Sequence, residues 1–347
     1  MNGDRVGIAM SGGVDSTVAA TLLQEQGYEV HGFFMELPLP DRERQVERVR
    51  ATADRLAIPL EIVDMRRRFS QSIIDNFVGT YLRGDTPNPC VVCNAAIKFG
   101  ALLTCMLEHG MDKAATGHYA RIEKNEKGTY SLFRAMDPKK DQSYFLCRLN
   151  QEQLSRIILP LASWRKSDVL ARATALDLGD YGGSESQDVC FLTTGLKQFL
   201  AEHGVEEKSG DIITCDGRIL GRHSGISHFT VGQRRGLGLP DATPWYVIGL
   251  DRQHNRIIIG KNEDLFQKHV IIRELHWLDG EPPLPWQGLV QLRSRHQPGA
   301  ARLEQKNRDT WQITFSEPQR AITPGQFAVF YEEERVAGSG IIVTPGA

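Results

Sequence analysis

The feature that most constrains this chain is the stretch from Val6 to Ser16, which reads V-G-I-A-M-S-G-G-V-D-S. An apolar run that ends in paired glycines, followed by apolar residues three to four apart, predicts a β-strand, a glycine turn and a helix start. The free backbone N–H groups of such a helix start, with serine hydroxyls beside them, favour a bound phosphate. Asp15 places a carboxylate there, which fits a magnesium ion bridging it to the phosphates.

The loop differs from two common nucleotide-binding signatures, because it has neither G-K-[ST] nor G-x-G-x-x-G. S-G-G-V-D-S instead resembles the PP-loop of the N-type ATP pyrophosphatases, which cleave ATP to AMP and pyrophosphate while they adenylate a substrate. That resemblance implies ATP and magnesium as cofactors. The alternative is an ordinary glycine turn before a helix.

Composition limits the class of protein. The 347 residues, 41% hydrophobic and 24% charged, suit two or three domains. We find no apolar run near the roughly 20 residues of a membrane span and no signal peptide, so we expect a cytoplasmic protein without a membrane segment. In that compartment the six cysteines are expected to be reduced thiols, ligands or catalysts. A net charge of −2 does not by itself indicate a nucleic-acid partner.

The order of predicted elements divides the chain. Strands alternate with helices at first, which predicts an α/β fold with a doubly wound, Rossmann-like parallel sheet. Ligands gather at the carboxyl ends of such strands, so Ser11–Ser16 and Met35 are expected on one rim. After Gly210, short apolar alternations between turns predict antiparallel β-structure. We expect a PP-loop domain with both informative cysteines over 1–205, a small central β domain over 206–269 and a β-barrel-like domain over 270–347.

Two cysteine segments stand out. Cys93 ends the C-x-x-C of T-P-N-P-C-V-V-C-N, where two prolines predict a loop and a helix that begins near Asn94. A thiol at a helix N-terminus has a lowered pKa and is reactive. Cys190 lies in S-E-S-Q-D-V-C-F without a metal partner nearby in sequence. Together, Cys90, Cys93 and Cys190 are three thiols that can hold an iron–sulfur cluster. A reactive pair of thiols is the other interpretation, and both stay open at this point.

Further motifs follow in order: N-P-C-V-V-C-N, A-T-G-H-Y-A-R, K-D-Q-S-Y-F, S-Q-D-V-C-F, V-G-Q-R-R-G-L-G and T-P-G-Q-F-A-V-F-Y. With S-G-G-V-D-S, this set resembles the tRNA-specific 2-thiouridylases over roughly Val6 to Val343. The resemblance implies sulfuration of the wobble uridine of tRNA: ATP adenylates the 2-carbonyl oxygen, and a persulfide sulfur then attacks the activated carbon. The implied partners are tRNA and a sulfur-donor protein, such as a cysteine desulfurase or a sulfur-relay carrier. We expect a monomer.

The resemblance also implies roles for single residues. Cys190 matches the persulfide carrier and Cys93 its partner, whose attack would release the sulfur and leave a Cys93–Cys190 disulfide. The positions that match the ATP site are Ala9, Met10, Ser11, Gly12, Gly13, Val14, Asp15, Ser16, Met35 and Gly117. Those that match the segment holding the target base are Asn88, Pro89 and Cys90. Those that match tRNA contacts are His118, Lys140, Asp141, Gln142, Arg293, Ser294 and Gln326.

Two positions depart from the family pattern. Cys90 stands where many members have an aspartate that is a candidate acid or base, and Ser294 stands where an aromatic residue is frequent. Two other functions stay open at this point. One is an iron–sulfur or redox-dependent RNA-binding protein, and the other is a PP-loop enzyme that modifies a different tRNA nucleoside.

Overall fold

The structure is a computed structural model that describes residues 4–178, 189–240 and 242–344. Its strands are β1 (Arg5–Ala9), β2 (Glu29–Glu36), β3 (Leu60–Asp64), β4 (Lys113–Ala115), β5 (Arg121–Lys124), β6 (Tyr130–Phe133), β7 (Ile157–Ile158), β8 (Gly210–Thr214), β9 (Ile219–His223), β10 (Tyr246–Asp251), β11 (Arg256–Gly260), β12 (Phe266–Trp277), β13 (Trp286–Gln291), β14 (Gly299–Gln305), β15 (Trp311–Arg320), β16 (Phe327–Glu332) and β17 (Arg335–Val343).

The helices in the described part of the chain are α1 (Val14–Glu25), α2 (Arg42–Arg55), α3 (Arg66–Phe69), α4 (Asp75–Arg83), α5 (Pro89–Cys93), α6 (Leu103–Glu108), α7 (Gln151–Ser155), α8 (Lys166–Ala175) and α9 (Leu196–Glu202). Wide turns of π-helix at Ser70–Ile74 and Asn94–Leu102 join α3 to α4 and α5 to α6. Short 3-10 turns lie at Ser143–Leu146, Ile226–His228 and Glu263–Leu265.

The first sheet is parallel, with the order β3-β2-β1-β4-β7. Val6 and Ile8 pack in one core cluster with residues of α1, α2 and α8. Gly7, between them, faces the opposite side, where an added Cβ would lie 2.9 Å from Met106 of α6. Helices therefore cover both faces, which confirms the predicted doubly wound fold. From β1 the chain adds β2 and β3 on one side of the sheet and then β4 and β7 on the other, so the strand order reverses between β1 and β4. The loops after these two strands therefore share a ligand-binding crevice.

Two local predictions differ from the structure. The apolar spacing over Leu154–Leu176, with breaks at Pro160 and Ser163, predicts helix, but the structure has β7 there, and its two residues pair with Ala114 and Ala115 at the sheet edge. In the central sheet, ordered β10-β11-β8-β9, β11 pairs with β8 in parallel rather than antiparallel fashion. Both features are set by contacts between distant segments, and neither produces a periodic pattern of apolar residues in the local sequence.

The helix around Cys93 begins earlier than the sequence predicts. The prediction of a loop up to Asn94 is wrong, because Pro89 takes the first helical position, where a proline loses no hydrogen bond. The Asn88 side chain caps this helix by accepting a 3.4 Å hydrogen bond from the Val91 N–H. Cys93 therefore lies about one turn inside the helix rather than at its N-terminus.

The same helix runs without a break from Pro89 to Glu108, with a mean hydropathy of 1.9 in its most apolar part. By length and composition alone it can cross a membrane, contrary to the sequence prediction that no apolar run approaches such a span. Val91, Ile97, Phe99 and Leu102 are at most 1% exposed in the protein core. These apolar residues of the helix are therefore buried inside the molecule.

The last sheet closes into a barrel. Its order is β12-β15-β14-β13-β16-β17-β6-β5, and β12 also pairs with β17, so β12 to β17 form a closed antiparallel barrel. The β5–β6 hairpin of the first domain joins this barrel through the pair Leu132–Val336. The Asp279 carboxylate accepts hydrogen bonds from Ser131 of the hairpin and Arg335 of β17. The barrel and the first domain are thus joined by a shared sheet edge.

Candidate active site

The loop after β1 is held in shape by its own hydroxyl groups. Gly12 has a φ of +69°, a left-handed conformation that favours glycine. The Ser16 and Thr17 hydroxyls donate to the Gly13 carbonyl at 3.0 and 2.9 Å. The Ser11 N–H donates to the Ser16 hydroxyl oxygen at 3.3 Å. Since the first-turn N–H groups of a helix have no partner within it, this loop presents them to an anion.

The loop after β4 packs directly against the loop after β1. A Cβ on Gly117 would lie 2.8 Å from the Asp15 carbonyl carbon and 2.8 Å from the Ser16 nitrogen. A side chain here would therefore push the two backbones apart. The structure thus brings Gly117 to the phosphate loop, as the resemblance implied. Met35, which follows the buried Phe33 and Phe34 near the carboxyl end of β2, is partly buried on the same rim.

Asp15 is paired with two residues that the sequence analysis did not identify. Lys166 Nζ, at the start of α8, donates to both carboxylate oxygens at 2.7 and 2.8 Å. The Tyr119 hydroxyl donates to the same carboxylate at 2.6 Å. Tyr119 lies inside the motif A-T-G-H-Y-A-R, which was the available signal, whereas nothing in the local sequence distinguishes Lys166.

Magnesium and ATP phosphates fit this group of residues. Magnesium is usually held by one or two carboxylates together with phosphate oxygens and water, and Asp15 supplies one carboxylate. Lys166 lies at the same oxygens and supplies a positive charge beside the anion site. Most of the magnesium ligands would therefore come from the nucleotide and from water.

The structure brings the Cys93 and Cys190 segments together. Val92 and Cys93 pack in the same apolar cluster as Val189 and Phe191, the two neighbours of Cys190. Phe191 is anchored there by edge-on contacts with the rings of Phe69 and Phe77 and by a tilted contact with Phe199. Residues 184–188, the first part of the Cys190 motif, lie outside the described residues. Two segments 97 residues apart in sequence thus share one cluster.

The thiols also interact electrostatically. Burial raises the pKa of Cys93 to about 11, and the neighbouring Cys190 and Cys90 contribute to this rise. Burial likewise raises the pKa values of Cys90 and Cys190, which also interact with each other. The predicted lowering of the Cys93 pKa is therefore wrong in this structure. Cys93 lies inside the helix, so burial of its sulfur outweighs the effect of the helix N-terminus.

Lys98 is a further site residue that the sequence analysis missed. It lies five residues after Cys93, in the wide turn Asn94–Leu102, and such turns occur frequently at functional sites. Its positive charge lowers the pKa of Cys90, Cys93 and Cys190 against the effect of burial. A spacing of five does not place two residues on one face of a regular α-helix, so the usual helical period gave no signal.

The described residues provide no arrangement of three or more His, Cys, Asp or Glu side chains that could hold a metal ion. Cys90, Cys93 and Cys190 belong to the described residues and are free thiols. The iron–sulfur cluster considered from the sequence thus finds no support in this geometry.

Several positions matched to tRNA contacts are engaged within the protein. His118 is 9% exposed, and burial lowers its pKa well below 6.5, so its ring is neutral. Asp141 accepts hydrogen bonds from Arg134 at 2.9 Å and from the Ser143 hydroxyl at 2.9 Å. The Gln142 side-chain oxygen, Oε1, accepts from the Tyr119 N–H at 2.9 Å. The motif K-D-Q-S-Y-F therefore supports the loop that carries the partner of Asp15.

Two of the three matched positions of the barrel, Arg293 and Gln326, contact other domains. Arg293 donates to the Val231 carbonyl of the central domain at 3.2 Å and to the Thr323 hydroxyl. The Ser294 carbonyl accepts from the Gln291 side chain at 3.0 Å. Gln326 contacts the segment that precedes Pro89, described below. A tRNA contact by these residues stays a prediction.

Three family descriptions match consecutive parts of the chain. A family described as "tRNA methyl transferase HUP domain" matches residues 4–194. Families described as "tRNA methyl transferase PRC-barrel domain" and "Aminomethyltransferase beta-barrel domain" match residues 197–261 and 267–342.

Curated relatives match almost the whole chain. A protein of Desulfotalea psychrophila named "tRNA-specific 2-thiouridylase MnmA" is 46% identical over 97% of this chain and 98% of its own length. Proteins of the same name from Syntrophomonas wolfei and Carboxydothermus hydrogenoformans are 43% and 42% identical over 97% of this chain, and over 99% and 97% of their own lengths. With the phosphate loop and the paired cysteine segments in place, the chain belongs to the tRNA-specific 2-thiouridylase family.

Proposed function

We propose that this protein is an ATP-dependent tRNA-uridine 2-sulfurtransferase that acts on the wobble uridine. The observation that carries the proposal is the meeting of Cys93 with the Cys190 segment in one cluster, in a chain that also has an anion-binding loop after β1. Relatives of the same length that are named 2-thiouridylases support the same chemistry.

The first step uses the loop after β1. ATP lies with its phosphates on the α1 N-terminus, and the 2-carbonyl oxygen of uridine attacks the α-phosphorus as pyrophosphate leaves. Magnesium, when bound, shields the phosphate charge. Lys166 and the backbone N–H groups near Gly13 neutralise the charge that develops on the phosphate oxygens. Asp15 holds Lys166 in position for this role.

The second step uses the two thiols. The terminal sulfur of a Cys190 persulfide forms a bond to C2 of the adenylated base, and AMP leaves with the former carbonyl oxygen. The Cys93 thiolate then attacks the Cys190 sulfur, so the bond to the transferred sulfur breaks and a Cys93–Cys190 disulfide forms. A dithiol reductant restores both thiols. Asn88, Pro89 and Cys90 are adjacent in the chain to Cys93, where an extruded base would enter.

The proposal includes the setting of the reaction. The substrate is tRNA, the persulfide comes from a donor protein such as a cysteine desulfurase or a sulfur-relay carrier, and the enzyme is a cytoplasmic monomer. We propose a PP-loop domain over 1–205, a central domain over 206–269 and a barrel over 270–347. Sedimentation measures the oligomeric state independently of activity.

The test is reconstitution with ATP, magnesium, a persulfide donor and unmodified tRNA. We expect one AMP and one pyrophosphate for each 2-thiouridine, measured by chromatography and by mass spectrometry of the digested nucleosides. The descriptions of the matching families name methyl transfer, so a parallel reaction receives S-adenosylmethionine in place of the persulfide donor. Methylated uridine in that reaction, or a sulfur-containing nucleoside other than 2-thiouridine, would contradict the proposal.

A further inference from the structure

The segment just before the cysteine helix is bound by the C-terminal barrel. The Thr86 N–H donates to the Pro324 carbonyl at 2.8 Å. The Gln326 amide in turn donates to the Thr86 and Pro87 carbonyls at 2.8 and 3.0 Å. Three hydrogen bonds thus connect two residues of the first domain with a turn that lies about 240 residues later in the chain.

The backbones at this junction are in close contact. A Cβ on Gly325 would lie 2.8 Å from Asp85 Cβ and 2.8 Å from the Thr86 carbonyl oxygen. Gly325 also has a φ of +88°, which disfavours any residue with a side chain. No side chain fits between the barrel turn and the segment, so the two backbones fix each other's position.

The contact continues into the cysteine helix. The Gln326 side-chain oxygen accepts a 3.4 Å hydrogen bond from the Asn88 amide, whose own oxygen caps the helix at Val91. The helix that starts at this cap carries Cys90 and Cys93 in its first turns. Because a helix is stiff over such a short distance, displacement of Asn88 moves both thiols.

We infer that Gln326 is a positioning residue, through which the barrel turn Thr323–Gln326 fixes the cysteine helix relative to the Cys190 segment. This inference rests on the proposed function for its catalytic meaning. It assigns Gln326 a role that needs no contact with tRNA. The amide is suited to it because it donates to two carbonyls and accepts from Asn88 at the same time.

The test compares the alkylation rates of single cysteines in the full-length protein, without ATP or tRNA. Gln326→Glu keeps the shape but replaces the amide donor by a carboxylate that faces two carbonyls. We expect iodoacetamide to label the half-buried Cys93 about 3-fold or more faster, because loss of the Gln326 hydrogen-bond donor loosens the segment. Cys215, between β8 and β9 and away from the junction, serves as the internal reference and keeps its rate. In the sulfuration assay, kcat falls while the KM for tRNA changes less than 2-fold.

A second pair of variants separates positioning from general loss of stability. Gly325→Ala introduces both backbone strain and the clash with Asp85, whereas Gly280→Ala introduces strain at a φ of +115° with nothing within 4 Å. Only Gly325→Ala is expected to accelerate labelling of Cys93. Equal labelling of Cys93 in wild type, Gln326→Glu and Gly325→Ala overturns the inference. So does a uniform acceleration at all cysteines. Because cysteine labelling requires no catalytic turnover, its outcome does not depend on whether the proposed function is correct.

Discussion

At the scale of single residues, the reactivity of Cys93 depends on two opposing effects. Burial raises its pKa to about 11, and the positive charge of Lys98 opposes that rise. The sequence could indicate Cys93 as a functional thiol because its motif is distinctive. It could not indicate the direction of the pKa shift, which depends on where the helix begins and on which side chains surround the sulfur.

Replacement of Lys98 tests its electrostatic role. In Lys98→Gln the pKa of Cys93 is expected to rise further, so the pH profile of Cys93 alkylation moves to higher pH. Lys98→Arg keeps the charge and is the matched control, with a profile near that of the wild type. Sulfur transfer in Lys98→Gln should slow by about 100-fold, at the low end of the cost of losing one charge-stabilising group. An unshifted profile in Lys98→Gln refutes this role.

His118 predicts a pH dependence of stability. Burial lowers its pKa well below 6.5, so below pH 6.5 the unfolded chain binds a proton at this residue that the folded protein does not bind. The free energy of unfolding therefore falls as the pH drops from 7 to 5. In His118→Gln, urea titrations should show a smaller fall over that range, whatever the change at pH 7. A fall as large as in the wild type would show that His118 contributes nothing to it.

At the scale of elements, the strongly periodic segments follow the sequence closely. α1 begins at Val14, directly after the predicted glycine turn. The charged amphipathic pattern over 41–56 predicts a helix, and α2 spans Arg42–Arg55. Their boundaries are set by local signals: a glycine turn and an amphipathic pattern. The two residues of β7 and the start of α5 at Pro89 were missed, because the first depends on a strand from elsewhere and the second on a cap by Asn88.

The wide turn after Cys93 makes a prediction about two glycines. A Cβ on Gly100 would lie 2.9 Å from the Ala95 carbonyl oxygen, whereas on Gly79 of α4 the nearest atom would be the flexible end of Arg83, at 3.5 Å. Gly100→Ala is expected to destabilise the protein by about 1–3 kcal/mol, as in overpacked sites. Gly79→Ala is expected to stabilise it by about 0.5–1 kcal/mol, because alanine loses less backbone entropy in a helix.

Urea denaturation of both variants measures these effects. Equal and small changes in the free energy of unfolding would contradict the close packing of Gly100 against Ala95 in the wide turn. Because Lys98 lies in the same turn, Gly100→Ala should also change the alkylation rate of Cys93, while Gly79→Ala should not.

At the scale of the whole molecule, residues from distant parts of the chain form one site. The fold class and the phosphate loop could be predicted from the sequence, because each is carried by a continuous stretch. The Asp15–Lys166 pair joins residues 151 apart, and the junction of Gln326 with Thr86 joins residues 240 apart. Neither leaves a local pattern, so only the folded chain reveals them.

The central claim is that Cys190 carries the sulfur and Cys93 releases it. A single-turnover reaction with a radiolabelled persulfide on Cys190, ATP and tRNA tests this most directly. In Cys93→Ser we expect the label to stay bonded to Cys190 in a covalent protein–tRNA adduct, and in wild type we expect it in free 2-thiouridine tRNA together with a Cys93–Cys190 disulfide. Release of labelled 2-thiouridine tRNA by Cys93→Ser at the wild-type rate would contradict the account.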